Sequence, residues 1–105
     1  MGFNPAKLPP LEKYEPHTHR YLTKYPIAVE CWFPTGTESK PKILQFKIKD
    51  DDGEIVTINR INVKSYDKTF KTMEFRCEIT YLYTKREVVI FFFPESLKWE
   101  LSFLS

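Results

Sequence analysis

At 105 residues the chain holds one domain and leaves no length for a second one that would frame a catalytic cleft. Sixteen Lys and Arg against fourteen Asp and Glu leave a net charge of +2, short of the clear basic excess of strongly nucleic-acid-binding domains. Nine Phe, six Tyr and two Trp put rings rather than aliphatic side chains in charge of core volume, and three Gly exclude Gly-rich phosphate loops.

Residues 1–24 carry Pro5, Pro9, Pro10, Pro16 and both histidines without sustained periodicity, and read as an extended N-terminal arm. No apolar stretch of the signal-peptide kind stands near the start, and the longest apolar run, residues 88–93, is far too short to span a bilayer. A cytoplasmic protein without membrane contact is the expectation.

Residues 25–105 read as an antiparallel β domain. The first strand, residues 25–33, alternates Ile27, Val29, Cys31 and Phe33 with Ala28, Glu30 and Trp32. Residues 34–39 form a loop of turn formers. The second strand, residues 42–49, turns Leu44, Phe46 and Ile48 inward and Gln45, Lys47 and Lys49 outward. Asp50, Asp51, Asp52 and Gly53 form a hairpin, because Asp-Gly accepts the positive φ of tight hairpin turns. The third strand, residues 54–64, switches its apolar parity from Val56 and Ile58 to Ile61 and Val63, which predicts a β-bulge near Asn59 and Arg60. Residues 65–69 read as a polar connection.

The clearest signal follows. Met73, Phe75, Cys77, Ile79, Tyr81 and Tyr83 alternate with Thr72, Glu74, Arg76, Glu78 and Thr80, the period of a strand with one face buried. Residues 84–86 are read as a turn. The fifth strand, residues 87–93, is apolar on both parities and needs cover on both faces. The last alternates Leu97, Trp99, Leu101 and Phe103 with Lys98, Glu100 and Ser102. The sum is an all-β single domain of about six antiparallel strands in a meander, strongly bent or partly closed as a small barrel, with the N-terminal arm attached.

Catalytic chemistry finds little footing. His17 and His19 are two ligands where transition-metal sites use three or four, so no metal is expected. The contiguous acids at 50–52 lack the staggered spacing of a calcium loop. Neither Cys31 nor Cys77 has a histidine partner, and both read as free buried thiols in preference to a disulfide. Glu74, Arg76 and Glu78 form a solvated charge ladder. No cofactor and no enzymatic activity are expected.

Two surfaces remain as candidates. Lys42, Lys47, Lys49, Arg60 and Lys64, with Trp32 nearby, form a basic surface across the second and third strands that suits single-stranded nucleic acid, although outward Lys also serves to keep a sheet soluble. Val88, Ile90 and Phe92 form an apolar strand face for an unknown protein partner or a second copy, unless the domain's own core covers them. The favoured expectation is a non-enzymatic binding or protein-interaction module, with self-association a part of it. The alternative is a single-stranded nucleic-acid-binding accessory protein.

Trp32-Phe33, Phe46 ahead of Asp50-Asp51-Asp52-Gly53-Glu54, Ile58-Asn59, Phe75-Arg76-Cys77 and Lys98-Trp99 together make up a pattern. It resembles small uncharacterised proteins of Firmicutes bacteria over residues 25–103. Where such relatives often carry a Cys before the final Lys-Trp, this chain has Ser96-Leu97. The resemblance implies a bacterial cytoplasmic β domain and brings no activity or site with it.

Overall fold

A computed structural model describes residues 23–34 and 40–104. The arm at 1–24, His17 and His19 included, lies outside the described residues except for Thr23 and Lys24, as does most of the loop at 34–39.

The described residues form seven strands: β1 (Tyr25–Trp32), β2 (Lys42–Lys49), β3 (Ile55–Ile58), β4 (Arg60–Lys68), β5 (Met73–Tyr81), β6 (Thr84–Phe93) and β7 (Lys98–Phe103). All pairs are antiparallel, in the order β3-β2-β1-β7-β6-β5-β4. The two edges, β3 and β4, follow one another in the chain across Asn59. The sheet therefore curls into a half-closed barrel whose edges are joined by backbone rather than by a ladder.

β1 makes that curl. Tyr25, Pro26 and Ile27 pair with β7, whereas Ala28 to Trp32 pair with β2. One strand thus hands its hydrogen bonds from one neighbour to the other halfway along, and wall gaps open where each ladder stops.

The third predicted strand is two. Its change of apolar parity falls at Asn59, as expected, but the chain there leaves β2 for β5 in a corner rather than passing a bulge. The bulges sit elsewhere. Val63 opposes Cys77 and Ser65 opposes Arg76, so Lys64 is the extra residue on β4, and β4 runs on to Lys68 through the expected connection. On β2, Glu30 opposes Gln45 while Cys31 opposes Ile43, which leaves Leu44 without a partner. This reverses one expectation: Ile43 is buried and Leu44 lies on the outside.

Two hairpins are informative. At residues 50–53 the Asp50 carboxylate accepts from the backbone N–H of Asp52 (2.9 Å) and of Glu54 (3.0 Å), while Gly53 takes φ +80°. The acids there cap a turn. Between β5 and β6 the turn is Leu82-Tyr83, both with positive φ, and residues 84–86 belong to β6 instead of turning the chain.

Inside the barrel Phe46, Phe75, Phe103, Ile58, Ile90, Leu101, Val88 and Cys77 are fully buried. Each large side chain so enclosed is worth roughly 1.5–3 kcal/mol of transfer free energy. At one end a ring cluster joins Tyr66, Phe75, Trp99, Phe92 and Phe33, with neighbouring centroids 4.5–6.5 Å apart. The outer side of β6 is covered as its double apolar parity demands. Val89 and Phe91 are buried with Leu104, whose N–H continues the ladder to the Glu87 carbonyl at 2.8 Å. The residues entering β1 cross this side: Ser102 Oγ donates to the Thr23 carbonyl at 2.8 Å, and Lys24 Nζ lies 5.2 Å from the Phe91 ring centroid.

Candidate functional site

Parity on β1 to β3 decides which side chains share the outer surface. Ala28, Glu30 and Trp32 of β1 face outward, against Gln45, Lys47, Lys49 and Lys42 of β2, with Ile55 and Thr57 of β3 beyond. Lys42 and Lys47 are five residues apart and would point to opposite sides of a regular strand. The bulge at Leu44 adds the residue that brings both to the outer side, with Lys42 directly across from Trp32. Leu44 itself is expelled onto the same surface, where Trp32, Leu44 and Ile55 are the exposed apolar side chains.

The charges differ sharply between the two halves of the barrel. On β4 to β6, Glu87 is held by Arg76 (3.3 Å) and Lys64 (3.3 Å), and Glu78 by Lys64 (3.7 Å) and Lys85 (4.0 Å). Hydrogen bonds from Arg76 first, then Lys64, hold the Glu87 carboxyl below its usual range. On β1 to β3, Glu30 accepts from the side-chain amide of Gln45 at 3.1 Å. Among the described residues Lys42, Lys47 and Lys49 have no ion-pair partner.

The six residues of the predicted basic surface therefore divide. Trp32, Lys42, Lys47 and Lys49 come together on one side of the barrel. Lys64 stands across the gap between β2 and β4 from Lys42, but it is committed to the ion-pair network with Glu78 and Glu87. Arg60, exposed opposite Thr80 at the start of β4, stands at the corner between the two surfaces.

Val88, Ile90 and Phe92, the residues of the predicted interaction surface, point into the barrel. Val88 and Ile90 have no exposed area and Phe92 is buried against Trp99 and Phe33. Their partner is the chain's own core, so they offer no outer surface to another protein. The free edge of β4 carries its bulge at Lys64, and bulges and lysines are how edge strands resist pairing with another copy.

Two of the gaps in the wall border the lysine surface. The larger, about 800 Å3, lies where β1 parts from β2, between Tyr25, Pro26, Ile27 and Ala28 on one side and Lys47, Ile48, Lys49 and Ile55 on the other, with Asp50 and Asp51 at its end. A smaller one of about 330 Å3 separates the start of β2 from β4, flanked by Lys40, Lys42 and Lys64 over Ile43, Ile61 and Tyr66. Sequence periodicity signals neither gap, nor the exposure of Leu44, since both arise from where ladders end.

Inside the barrel the ionisable groups are quiet. Both cysteines are free; burial raises the Cys31 thiol and pushes that of Cys77 up to about 12, so neither is a thiolate near neutrality. Arg86 stacks over the Phe103 ring at 4.2 Å, with its pKa lowered by burial. Among the described residues no three His, Cys, Asp or Glu side chains are grouped to hold a metal, and no helix is long and apolar enough to cross a membrane.

Comparison with known proteins found no matching family model, no matching curated protein and no matching solved structure.

Proposed function

We propose that this domain is a non-enzymatic binding module that takes single-stranded nucleic acid on the outer surface of β1 to β3. The observation that carries the reading is the charge contrast: Lys64 and Lys85 are committed to Glu78 and Glu87, while Lys42, Lys47 and Lys49 have no ion-pair partner among the described residues and share a surface with an exposed tryptophan. Lysines along one strand track a phosphate backbone, and Trp32, 59% exposed, supplies a ring on which a base stacks. Three cations rather than a broad basic stripe suit modest affinity and a shallow salt dependence. The enclosure of Val88, Ile90 and Phe92 takes away the surface on which the protein-interaction reading rested, which is why nucleic acid is preferred here. On this reading the protein works in the cytoplasm, in keeping with its two free thiols.

The test is fluorescence anisotropy of labelled single-stranded DNA and RNA, titrated at low and near-physiological salt. The expected result is micromolar binding, with a slope of log affinity against log salt of about −2 from three neutralised phosphates. The Lys47→Glu/Lys49→Glu variant stays folded and loses binding, and Trp32→Ala weakens it. No binding at either salt overturns the reading.

A further inference from the structure

The gap where β1 leaves β2 adjoins the lysine surface, and its lining is part basic and part apolar. Lys47 and Lys49 stand at its rim, while its walls are Tyr25, Pro26, Ile27, Ile48 and Ile55. Backbone flanks it on both sides beyond the end of the β1–β2 ladder, which stops at Ala28 and Lys47. Its volume of about 800 Å3 is within the rough 300–1,000 Å3 range of small-molecule sites. Asp50 and Asp51 close one end; the Asp50 carboxylate is committed to the turn and both carry negative charge. An anion is thus welcome at the lysine rim and repelled from the interior. The occupant that fits is flat, uncharged and largely apolar, attached to phosphates that remain outside.

We infer that this groove receives an unpaired nucleobase, turned inward from a strand whose phosphates lie on Lys47 and Lys49. The inference rests on the proposed function and narrows it: the ligand must expose its bases, so single strands are bound and fully paired duplexes are not. Trp32 and the groove then lie at opposite ends of β2 and engage different nucleotides.

Anisotropy with three labelled probes of equal length tests this: a single-stranded oligonucleotide, its duplex, and an abasic strand that keeps the phosphates and lacks the bases. The first is expected to bind about tenfold or more tightly than the other two, the loss typical of one or two base contacts. Ala28→Leu fills the groove from an exposed position of β1, and Ile55→Ala removes one wall from an exposed position of β3. Each is expected to weaken single-strand binding about tenfold with the salt slope unchanged, and circular dichroism checks that each is folded; should Ala28→Leu misfold, Ile55→Ala carries the test. Equal binding of the abasic strand overturns the inference together with base stacking on Trp32, and leaves only phosphate contact with the lysines. Undiminished binding by folded groove variants when Trp32→Ala binds weakly overturns the inference alone, because the base contact is then at Trp32. Absence of binding to every probe overturns both.

Discussion

Phe92 and Trp99 face each other across the β6–β7 ladder with ring centroids 4.5 Å apart. The pair is the hinge of the ring cluster: Phe33 packs on both, and Trp99 leads on to Phe75 and Tyr66. Removing the indole empties the middle of that chain. Trp99→Ala is expected to cost about 3 kcal/mol, seen as a lower urea midpoint, and Phe92→Glu, which buries a charge, to prevent folding. A folded Phe92→Glu protein with a changed sedimentation profile would instead mark Phe92 as a contact between chains.

The Leu82-Tyr83 turn spends conformational energy. Both residues have positive φ, 47° and 68°, in a two-residue hairpin that Asn-Gly fits best. Their side chains are mostly in solvent, so exchanging them forfeits little packing. Left-handed backbone costs roughly 1–2 kcal/mol per non-Gly residue. The Leu82→Asn/Tyr83→Gly variant is expected to gain about 1–2 kcal/mol and to melt several degrees higher. An unchanged melting temperature would show that the turn carries no such strain.

Glu87 ties folding to pH. Its folded-state pKa lies below the unfolded one because Arg76 and Lys64 hold its carboxylate. The stabilisation is present above the ordinary carboxylate pKa and is lost as pH falls through that value to the depressed one. Glu87→Gln is expected to be less stable than the native chain at neutral pH, with the two melting curves converging in acid. High salt narrows the gap at neutral pH, since the groups are partly exposed. A gap that stays constant from neutral pH into acid would contradict the ion-pair account.

Cys77 behaves in the opposite sense. Its folded pKa of about 12 exceeds that of an unfolded thiol, so the stability linked to it is complete below the unfolded value. That contribution drains away as pH rises from roughly 8.5 towards the folded value. At pH 8 a thiol reagent should modify only Cys31 in the native protein, and both cysteines in denaturant. Rapid native-state labelling of a Cys31→Ser variant would show that Cys77 is not enclosed.

How much of this was legible depended on whether a feature is local. The alternation at residues 73–81 predicts the faces the strand shows, because a period of two is written into neighbouring residues. The double apolar parity of residues 88–93 likewise announced a strand covered on both sides. The Asp-Gly turn at 50–53 was legible from its chemistry. The turn at 82–83 was not, since neither Leu nor Tyr signals positive φ and the Tyr81–Tyr83 alternation continues through it.

The candidate site was half legible, and the missing half has one cause. The sequence points to Lys42, Lys47, Lys49 and Trp32, but nothing in the chain's own order places Lys42 beside Trp32 or lifts it to the outer side. Arg60 and Lys64 follow them in sequence, but the corner at Asn59 places both on β4, where Lys64 is held by Glu78 and Glu87. The amino-acid sequence by itself determined that the domain is an antiparallel β meander, which stretches alternate, and where the polar turns fall. The tertiary structure decided the bulges, the division of the third strand, the gaps in the wall, and the enclosure of Val88, Ile90 and Phe92. Periodicity is set by residues two apart, whereas a strand's partner, its register and the point where its ladder stops are set by the packing of distant segments around one core.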